Sequence, residues 1–225
     1  MNSDAIDYFM NEQKPHSGLK VSAISRLGLG PIDLDIKSGQ ITALMGPSGA
    51  GKTMLLRAIA DLDPAAGEAF INGQARNTME PTKWRSRVVY VPAITGWWDE
   101  KVRAHFIGSD KNTTKQILHA LGLESTALDW DVSHISTGEK QRLGLARALV
   151  NAMIKTPAPE VLLLDEPTSG LDEQNREMAE KLILKQAENG TAILMVTHER
   201  TQALRMGAKI LNISAGKINE PEKTS

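Results

Sequence analysis

A glycine-rich segment between two apolar stretches constrains the fold of this chain more than any other feature. Residues 46–53 read GPSGAGKT and fit the pattern G-x-x-x-x-G-K-[ST]. The run Ile41–Met45 before it is typical of a strand, and residues 54–59, MLLRAI, favour a helix. Backbone N–H groups of such a loop can surround phosphates, because glycines add no obstructing Cβ and a helix start attracts anions. The segment therefore predicts a nucleotide-phosphate site at a strand–helix junction.

Two side chains of this phosphate-binding loop (residues 46–53) have a specific chemical task. The ammonium group of Lys52 can reach the β- and γ-phosphates of a nucleotide, and the hydroxyl of Thr53 can bind Mg²⁺. The alternative is a glycine-rich turn with a chance lysine, but the flanking strand and helix patterns argue against it. The candidate nucleotide-binding residues are Gly46, Pro47, Ser48, Gly49, Ala50, Gly51, Lys52, Thr53 and Met54.

A second candidate site lies at the end of another apolar run. Residues 161–166 read VLLLDE, which is typical of a buried strand that ends in two acids. At the carboxyl edge of a sheet, Asp165 is suited to hold Mg²⁺ near the phosphates, and Glu166 can orient or deprotonate the attacking water. Alternatively, the two acids simply end a strand in an ordinary turn before Pro167.

Short apolar runs alternate with helix-like stretches, which predicts an α/β fold with a largely parallel sheet. Residues 96–157 contain no convincing strand pattern and are interpreted as an inserted helical subdomain. Residues 1–18 are polar and unpatterned and are interpreted as a loose N-terminal arm. The predicted strands are 32–36, Ile41–Met45, Val88–Val91, 161–164, Ala192–Val196 and 210–213. The predicted helices are 53–60, 111–121, 139–151, Glu173–Glu188 and Arg200–Arg205.

Composition excludes several classes of function. The chain of 225 residues contains no cysteine, which excludes disulfides, thiol catalysis and cysteine-ligated metal centres. Its 26 basic and 27 acidic residues give no electrostatic footprint for nucleic acid, so no nucleic-acid partner is expected. No apolar run approaches the roughly 18 residues of a membrane span, and the N-terminus lacks a secretory pattern. These features predict a soluble intracellular protein.

Further motifs follow in an order that resembles the ATP-binding subunit of ABC transporters. Residues 46–53 are similar to the Walker A loop of that family, and residues 161–166 to its Walker B strand. Residues 135–142, ISTGEKQR, resemble the signature segment, and residues 169–172, SGLD, resemble the D-loop. His198 stands where the family has its switch histidine.

This resemblance extends over residues 29–217 and implies a single ATP-binding cassette domain within residues 1–225. The implied fold is a P-loop NTPase core with a mostly parallel sheet, a small N-terminal antiparallel β portion and the inserted helical subdomain. The residues carried over are Glu166 and His198 for catalysis, Thr53 and Asp165 for the metal, Asp172 in the D-loop, and Ser136, Thr137, Gly138 and Glu139 facing ATP of the opposite subunit.

The function implied is hydrolysis of ATP with Mg²⁺ by two copies that dimerise around the nucleotide. They would power a transporter whose membrane-spanning subunit is a separate chain, from the cytoplasmic face of the cell membrane. One alternative is a soluble ABC ATPase that acts on another protein complex, such as an iron–sulfur assembly scaffold. A nucleic-acid-handling ABC ATPase and a P-loop kinase are further alternatives, but residues 135–142 have no role in a kinase.

Three positions depart from the family pattern. Ala93 stands where a glutamine usually contacts Mg²⁺ and the attacking water. The aromatic ring that usually stacks on adenine is missing before the phosphate-binding loop, since Tyr8 and Phe9 lie far upstream; Arg26 is the suggested substitute. Thr137 replaces a glycine of the signature segment.

Two further features each have two interpretations. Ser136 and Glu139 form the pattern S-x-x-E, so the signature segment can also be the capping box of a helix. Trp97 and Trp98 lie where the family forms a groove for the membrane subunit. They are either anchors of that interface or core residues of the helical subdomain.

Overall fold

The computed structural model describes residues 18–106, 108, 110–154 and 159–219, without the side chains of 152–154. Within these residues the strands are β1 Gly18–Arg26, β2 Leu29–Lys37, β3 Ile41–Met45, β4 Ala66–Ile71, β5 Gln74–Ala75, β6 Val88–Val91, β7 Val161–Asp165, β8 Ala192–Val196, β9 Lys209–Ser214 and β10 Lys217–Asn219. The helices are α1 Lys52–Ile59, α2 Pro81–Arg87, α3 Lys111–Ala120, α4 Thr137–Ile154, α5 Glu173–Glu188 and α6 Arg200–Arg205.

The strands form two sheets that match the predicted fold class. Strands β2, β1, β4 and β5 form a small antiparallel sheet in that order. The second sheet has the order β10-β9-β3-β8-β7-β6. The five neighbouring strands β9, β3, β8, β7 and β6 are parallel to one another, and β10 pairs antiparallel with β9. Both the mostly parallel sheet and the small antiparallel portion near the N-terminus are therefore confirmed.

The central strands of the parallel sheet are covered on both faces, which explains their continuously apolar sequences. In β7, Val161 and Leu163 pack into the hydrophobic cluster that includes the residues of α1. Leu162 and Leu164 point to the opposite face and pack with residues of α3, α4 and α5. The sheet thus holds its carboxyl edge, where the candidate site lies, between two packed layers.

The predicted loose arm, residues 1–18, extends one residue too far, and the strand that follows it was not among the predicted strands. Gly18, assigned to the loose arm, is the first residue of β1, where Gly18 N donates to Asn72 Oδ1 at 2.7 Å. The rest of the predicted arm, residues 1–17, lies outside the described residues.

Helix α2 was not predicted from the sequence. It is only seven residues long, and its start is marked by Pro81 in the first turn. Trp84 is fully buried, and its Nε1 donates to the carbonyl of Ile59 at 2.9 Å. The tryptophan therefore satisfies a free carbonyl at the end of α1 and fixes α2 against the core.

Between β6 and β7, the described residues contain helices α3 and α4 and short 3₁₀ turns but no strand. One isolated bridge joins Lys101 to Asp131. No helix among the described residues of the chain is long and apolar enough to cross a membrane.

Candidate functional site

The phosphate-binding loop connects the carboxyl end of β3 to α1, and its glycines are required by the backbone. A Cβ on Gly46, which has φ 155°, would lie 2.1 Å from the carbonyl oxygen of Ile213. Gly51 has φ 101° and precedes the first residue of α1. The loop therefore passes close to β9 and turns directly into the positive end of a helix, where backbone donors favour an anion.

Lys52 is folded back against this loop. Its side chain is buried, and Nζ donates to the carbonyl oxygens of Gly46 at 2.8 Å and Pro47 at 2.9 Å. Neutral carbonyl groups compensate the ammonium charge only partly, so the group keeps its capacity to bind an anion. The structure thus places the lysine beneath the loop, as a phosphate contact requires.

Thr53 and Asp165 meet at the carboxyl edge of the sheet. The hydroxyl of Thr53 donates to Oδ2 of Asp165 at 2.7 Å, and the hydroxyl of Tyr90 donates to the same oxygen at 3.1 Å. Burial, and then the charge of Asp165, raise the pKa of the Tyr90 phenol, so the tyrosine stays a donor. Tyr90 was not predicted, because nothing in the pattern of β6 marks it as a site residue.

The oxygen atoms of Thr53 and Asp165 suit Mg²⁺, which prefers hard oxygen ligands and often takes only one or two from the protein. Among the described residues, no group of three or more His, Cys, Asp or Glu side chains could hold a metal. Thr53 and Asp165 would hold Mg²⁺ as its protein ligands, and the ion would neutralise charge on bound phosphates.

Glu166 and His198 form the second pair of the site. Nε2 of His198 lies 2.9 Å from Oε1 of Glu166. Glu166 has φ 50°, in the left-handed region that costs a residue with a Cβ about 1 kcal/mol. Its N–H donates to the carbonyl of Val196 at 3.1 Å, and its carbonyl accepts from Gln141 and Ser169. These bonds hold a strained backbone that aims the carboxylate at the histidine.

A cleft of about 270 Å³ brings most of these groups together. It is lined by Ser48, Gly49, Gly51, Lys52, Thr53, Met54, Glu166 and His198, all of them predicted from the sequence. The signature residues 136–139 do not line it.

The signature residues adopt the predicted capping box at the start of α4. The N–H and Oγ of Ser136 donate to Oε2 of Glu139 at 2.8 Å and 2.7 Å, and the N–H of Glu139 donates back to Oγ at 3.3 Å. These hydrogen bonds lower the pKa of the Glu139 carboxyl. Thr137 and Gly138 form the first turn of the helix, and neither residue lines the chain's own cleft.

Asp172, the predicted D-loop residue, caps α5. Its carboxylate accepts from the backbone N–H of Asn175 at 2.9 Å and from Nδ2 of the same residue at 2.6 Å. Both bonds lower the pKa of Asp172. In this structure the aspartate therefore makes a local capping contact, and it is exposed.

A buried polar network behind the site was not predicted. Thr197 donates to Oε1 of Gln202 at 2.7 Å, and Nε2 of Gln202 donates to Thr168 at 2.7 Å and to Glu180 at 3.1 Å. Arg205 pairs with Glu180 through two bonds of 2.8 Å and 2.6 Å. The network joins the segment after β8, which carries His198, to the segment after β7, which carries Glu166.

The suggested adenine contact of Arg26 is not supported by the geometry. Tyr8 and Phe9 lie outside the described residues. Arg26 donates to Oδ2 of Asp63 at 2.7 Å, so its guanidinium group is already committed to an ion pair. The turn between β1 and β2 instead presents Leu27, which is 97% exposed.

Asp63 joins the Arg26 side chain of β1 to Arg57 in α1, and its replacement by asparagine is expected to destabilise the fold. The hydrogen bonds from Arg57 and then Arg26 lower the pKa of Asp63. A lowered carboxyl pKa contributes stability above the ordinary value of about 3.9 and loses it as the pH falls below that value. We expect Asp63→Asn to lower the free energy of unfolding by about 1 kcal/mol at pH 7. Urea unfolding of both proteins at pH 7 and pH 3 measures this difference, which should shrink at pH 3; an equal difference at both values would contradict it.

The loop after β6 separates the roles of the two adjacent tryptophans. Trp97 is half-buried and packs against the core cluster of the helical region, whereas Trp98 is 69% exposed. Arg147 of α4 lies over both rings, 5.2 Å and 4.9 Å from their centroids. The His105 ring contacts both tryptophan rings, with centroid distances of 4.8 Å and 4.3 Å. Trp97 therefore fits the interpretation as a core residue, whereas the exposed Trp98 fits the interpretation as an interface anchor.

A glycine-rich strand–loop–helix, an acid pair at the end of β7 and helices inserted between β6 and β7 together define a P-loop nucleotide hydrolase of the ATP-binding cassette type. The model of the ABC transporter family matches residues 29–169. The chain therefore belongs to the ABC transporter family, as one of its ATP-binding subunits.

Known relatives and structures agree with this assignment. The aliphatic sulfonates import ATP-binding protein of Escherichia coli is 34% identical over 221 residues, covering 93% of this chain and 83% of the relative. The taurine import ATP-binding protein of Roseobacter denitrificans is 34% identical over 190 residues, covering 80% of this chain and 68% of the relative. A dimeric post-hydrolysis structure of an ATP-binding cassette with ADP and Pi has a TM-score of 0.77 and 25% identity, over 91% of this chain and 98% of that chain.

These findings make the chain an ATPase whose hydrolysis of ATP is coupled to transport. They bear out the transport prediction over the alternative of an ATPase for an iron–sulfur assembly scaffold.

Proposed function

We propose that two copies of this chain enclose two ATP molecules and drive an importer whose membrane-spanning subunit is a separate polypeptide. The supporting observation is that the predicted site residues lie in two separate places on the chain. The phosphate-binding loop, Glu166 and His198 share one cleft, while the capped helix start at residues 136–139 lies outside it. A second copy can bring that helix start to the γ-phosphate, where its free N–H groups suit an anion. Import is favoured because both related proteins described above are import ATP-binding proteins.

Each proposed role follows from a contact in the cleft. Lys52 exchanges its carbonyl partners for the β- and γ-phosphates and neutralises charge that develops during phosphoryl transfer. Thr53 and Asp165 hold Mg²⁺, which when bound supplies charge neutralisation at the phosphates. Glu166 orients and deprotonates the attacking water, and His198, already in contact with Glu166, holds the γ-phosphate.

The membrane-spanning partner is proposed to dock on the loop that carries Trp98, so that the chain acts at the cytoplasmic face of the membrane. Exposed apolar side chains concentrate in this loop, where Ile94 is 90% exposed and Trp98 is 69% exposed. Partly exposed tryptophans supported by an arginine are common interface anchors. The subunit does not need to contact the transported molecule, so nothing in its site selects a substrate.

The dimer geometry can be tested with cysteine pairs, because the chain has no native cysteine. Ser48 lines the cleft and Ser136 directly precedes α4, so Ser48→Cys with Ser136→Cys should form an intermolecular cross-link only with ATP and Mg²⁺. A short thiol cross-linker and gel electrophoresis measure the covalent dimer. The control pair combines Ser48→Cys with Ser125→Cys, an exposed position outside α4. Equal cross-linking of both pairs, or none with ATP, would contradict the proposed dimer.

A further inference from the structure

The loop after β6 is attached firmly to helix α4. Thr95 packs on Gly144, where an added Cβ would lie 2.1 Å from Thr95 Oγ1. Nη1 of Arg147 donates to the carbonyl of Gly96 at 3.2 Å, and its guanidinium group also covers both tryptophan rings. Any force on this loop is therefore transmitted to α4.

The same helix touches the proposed catalytic acid from its other end. Nε2 of Gln141 donates to the backbone carbonyl of Glu166 at 2.8 Å and to Oγ of Ser169 at 2.9 Å. Gln141, Gly144 and Arg147 follow at intervals of three, so each is a neighbour of the next on the helix surface, over a length of about 9 Å at 1.5 Å per residue. One rigid element thus reaches from the loop to Glu166.

The hydrogen bond from Gln141 is made to the strained backbone of Glu166. The backbone of Glu166 has a left-handed conformation, with φ 50°. The orientation of its peptide group determines the direction of the carboxylate. Ser169 provides two further hydrogen bonds to the same carbonyl, from its hydroxyl at 3.1 Å and from its backbone N–H at 3.2 Å, and the hydroxyl accepts a bond from Gln141. Loss of the glutamine therefore removes the shortest of the three bonds to this carbonyl and also the donor that orients the Ser169 hydroxyl.

We propose that Gln141 is the positioning residue through which the loop of residues 92–100 and helix α4 set the orientation of Glu166. It provides the link between the helical region and the catalytic site that Ala93, with only a methyl group, cannot make. A partner that binds the loop displaces α4 and so changes the contact between Gln141 and Glu166. The position of the water-activating carboxylate changes with it. The proposal rests on the proposed function of Glu166.

The test compares Gln141→Ala and Gln141→Met with Gln116→Ala, which removes an exposed glutamine from α3. The ATPase subunit is purified with its membrane-spanning partner and also alone, and steady-state ATP hydrolysis is measured. We expect both Gln141 variants to lower kcat about tenfold in the complex, to leave KM for ATP unchanged and to lose stimulation by the partner. The Gln116 variant should behave as wild type. A kcat within twofold of wild type, or a parallel rise in KM with loss of thermal stability, would overturn the proposal.

A double variant separates this proposal from the role of Glu166. If Gln141 acts through Glu166, adding Gln141→Ala to Glu166→Gln should leave the residual rate unchanged. A further tenfold fall in the double variant would mean that Gln141 acts elsewhere and would overturn the proposal alone. Normal turnover by Glu166→Gln as a single variant would instead remove the proposed function of that residue, on which the positioning role depends.

Discussion

Replacing Glu166 with glutamine is expected to preserve ATP binding and to lower turnover at least about 100-fold, because positioned acid–base groups contribute 10²–10⁴-fold. The amide retains the shape of the carboxylate and can still hydrogen-bond His198, which lies 2.9 Å away. It cannot accept a proton from the attacking water. Phosphate contacts through Lys52 and the loop are unaffected, so the variant should accumulate in its ATP-bound form.

Size-exclusion chromatography with ATP and Mg²⁺ measures this accumulation as a stable dimer, and phosphate release measures turnover. The control is Glu188→Gln, which changes an exposed acid at the end of α5 and should leave both properties unchanged. A Glu166→Gln protein that hydrolyses ATP at the wild-type rate would contradict the catalytic assignment. One that binds ATP but stays monomeric would contradict the proposed dimer.

Local patterns were sufficient to predict the parallel sheet and the cleft. The runs of β7 and β8 are continuously apolar because both faces of these strands are covered. Such burial can be recognised directly in the sequence. The pattern of the phosphate-binding loop is also local, because its glycines are required by backbone constraints within a few residues. The residues that line the cleft therefore follow from segments that can each be recognised alone.

The remaining elements depend on contacts between distant segments. Strand β1 was missed because its pairing with β2 shifts in register between Val21 and Ile24, so its buried residues do not alternate regularly. Gln202 and Glu180 look like ordinary polar residues of surface helices, and only the fold buries them behind His198. The contact of Gln141 with Glu166 likewise joins residues 25 positions apart. No pattern within one element could have indicated these partners.

Replacing Trp98 with alanine is expected to weaken association with the membrane-spanning partner at least about 30-fold, since interface tryptophans often contribute 2 kcal/mol or more. The ring is 69% exposed, yet it is held in place by Arg147 and His105. A side chain already fixed in position loses little conformational entropy when a partner covers it. The fold itself should not depend on a ring that is mostly in water.

The matched controls distinguish an interface role from a packing role. Trp97→Ala removes a half-buried ring from the core cluster and should lower the free energy of unfolding by about 2 kcal/mol. Leu204→Ala removes another exposed apolar side chain, 61% exposed on α6, and should change neither stability nor association. Co-purification and thermal unfolding of the three variants measure both properties. If Trp98→Ala unfolds like wild type and still retains the partner, the docking surface lies elsewhere; if Leu204→Ala loses the partner instead, α6 carries it.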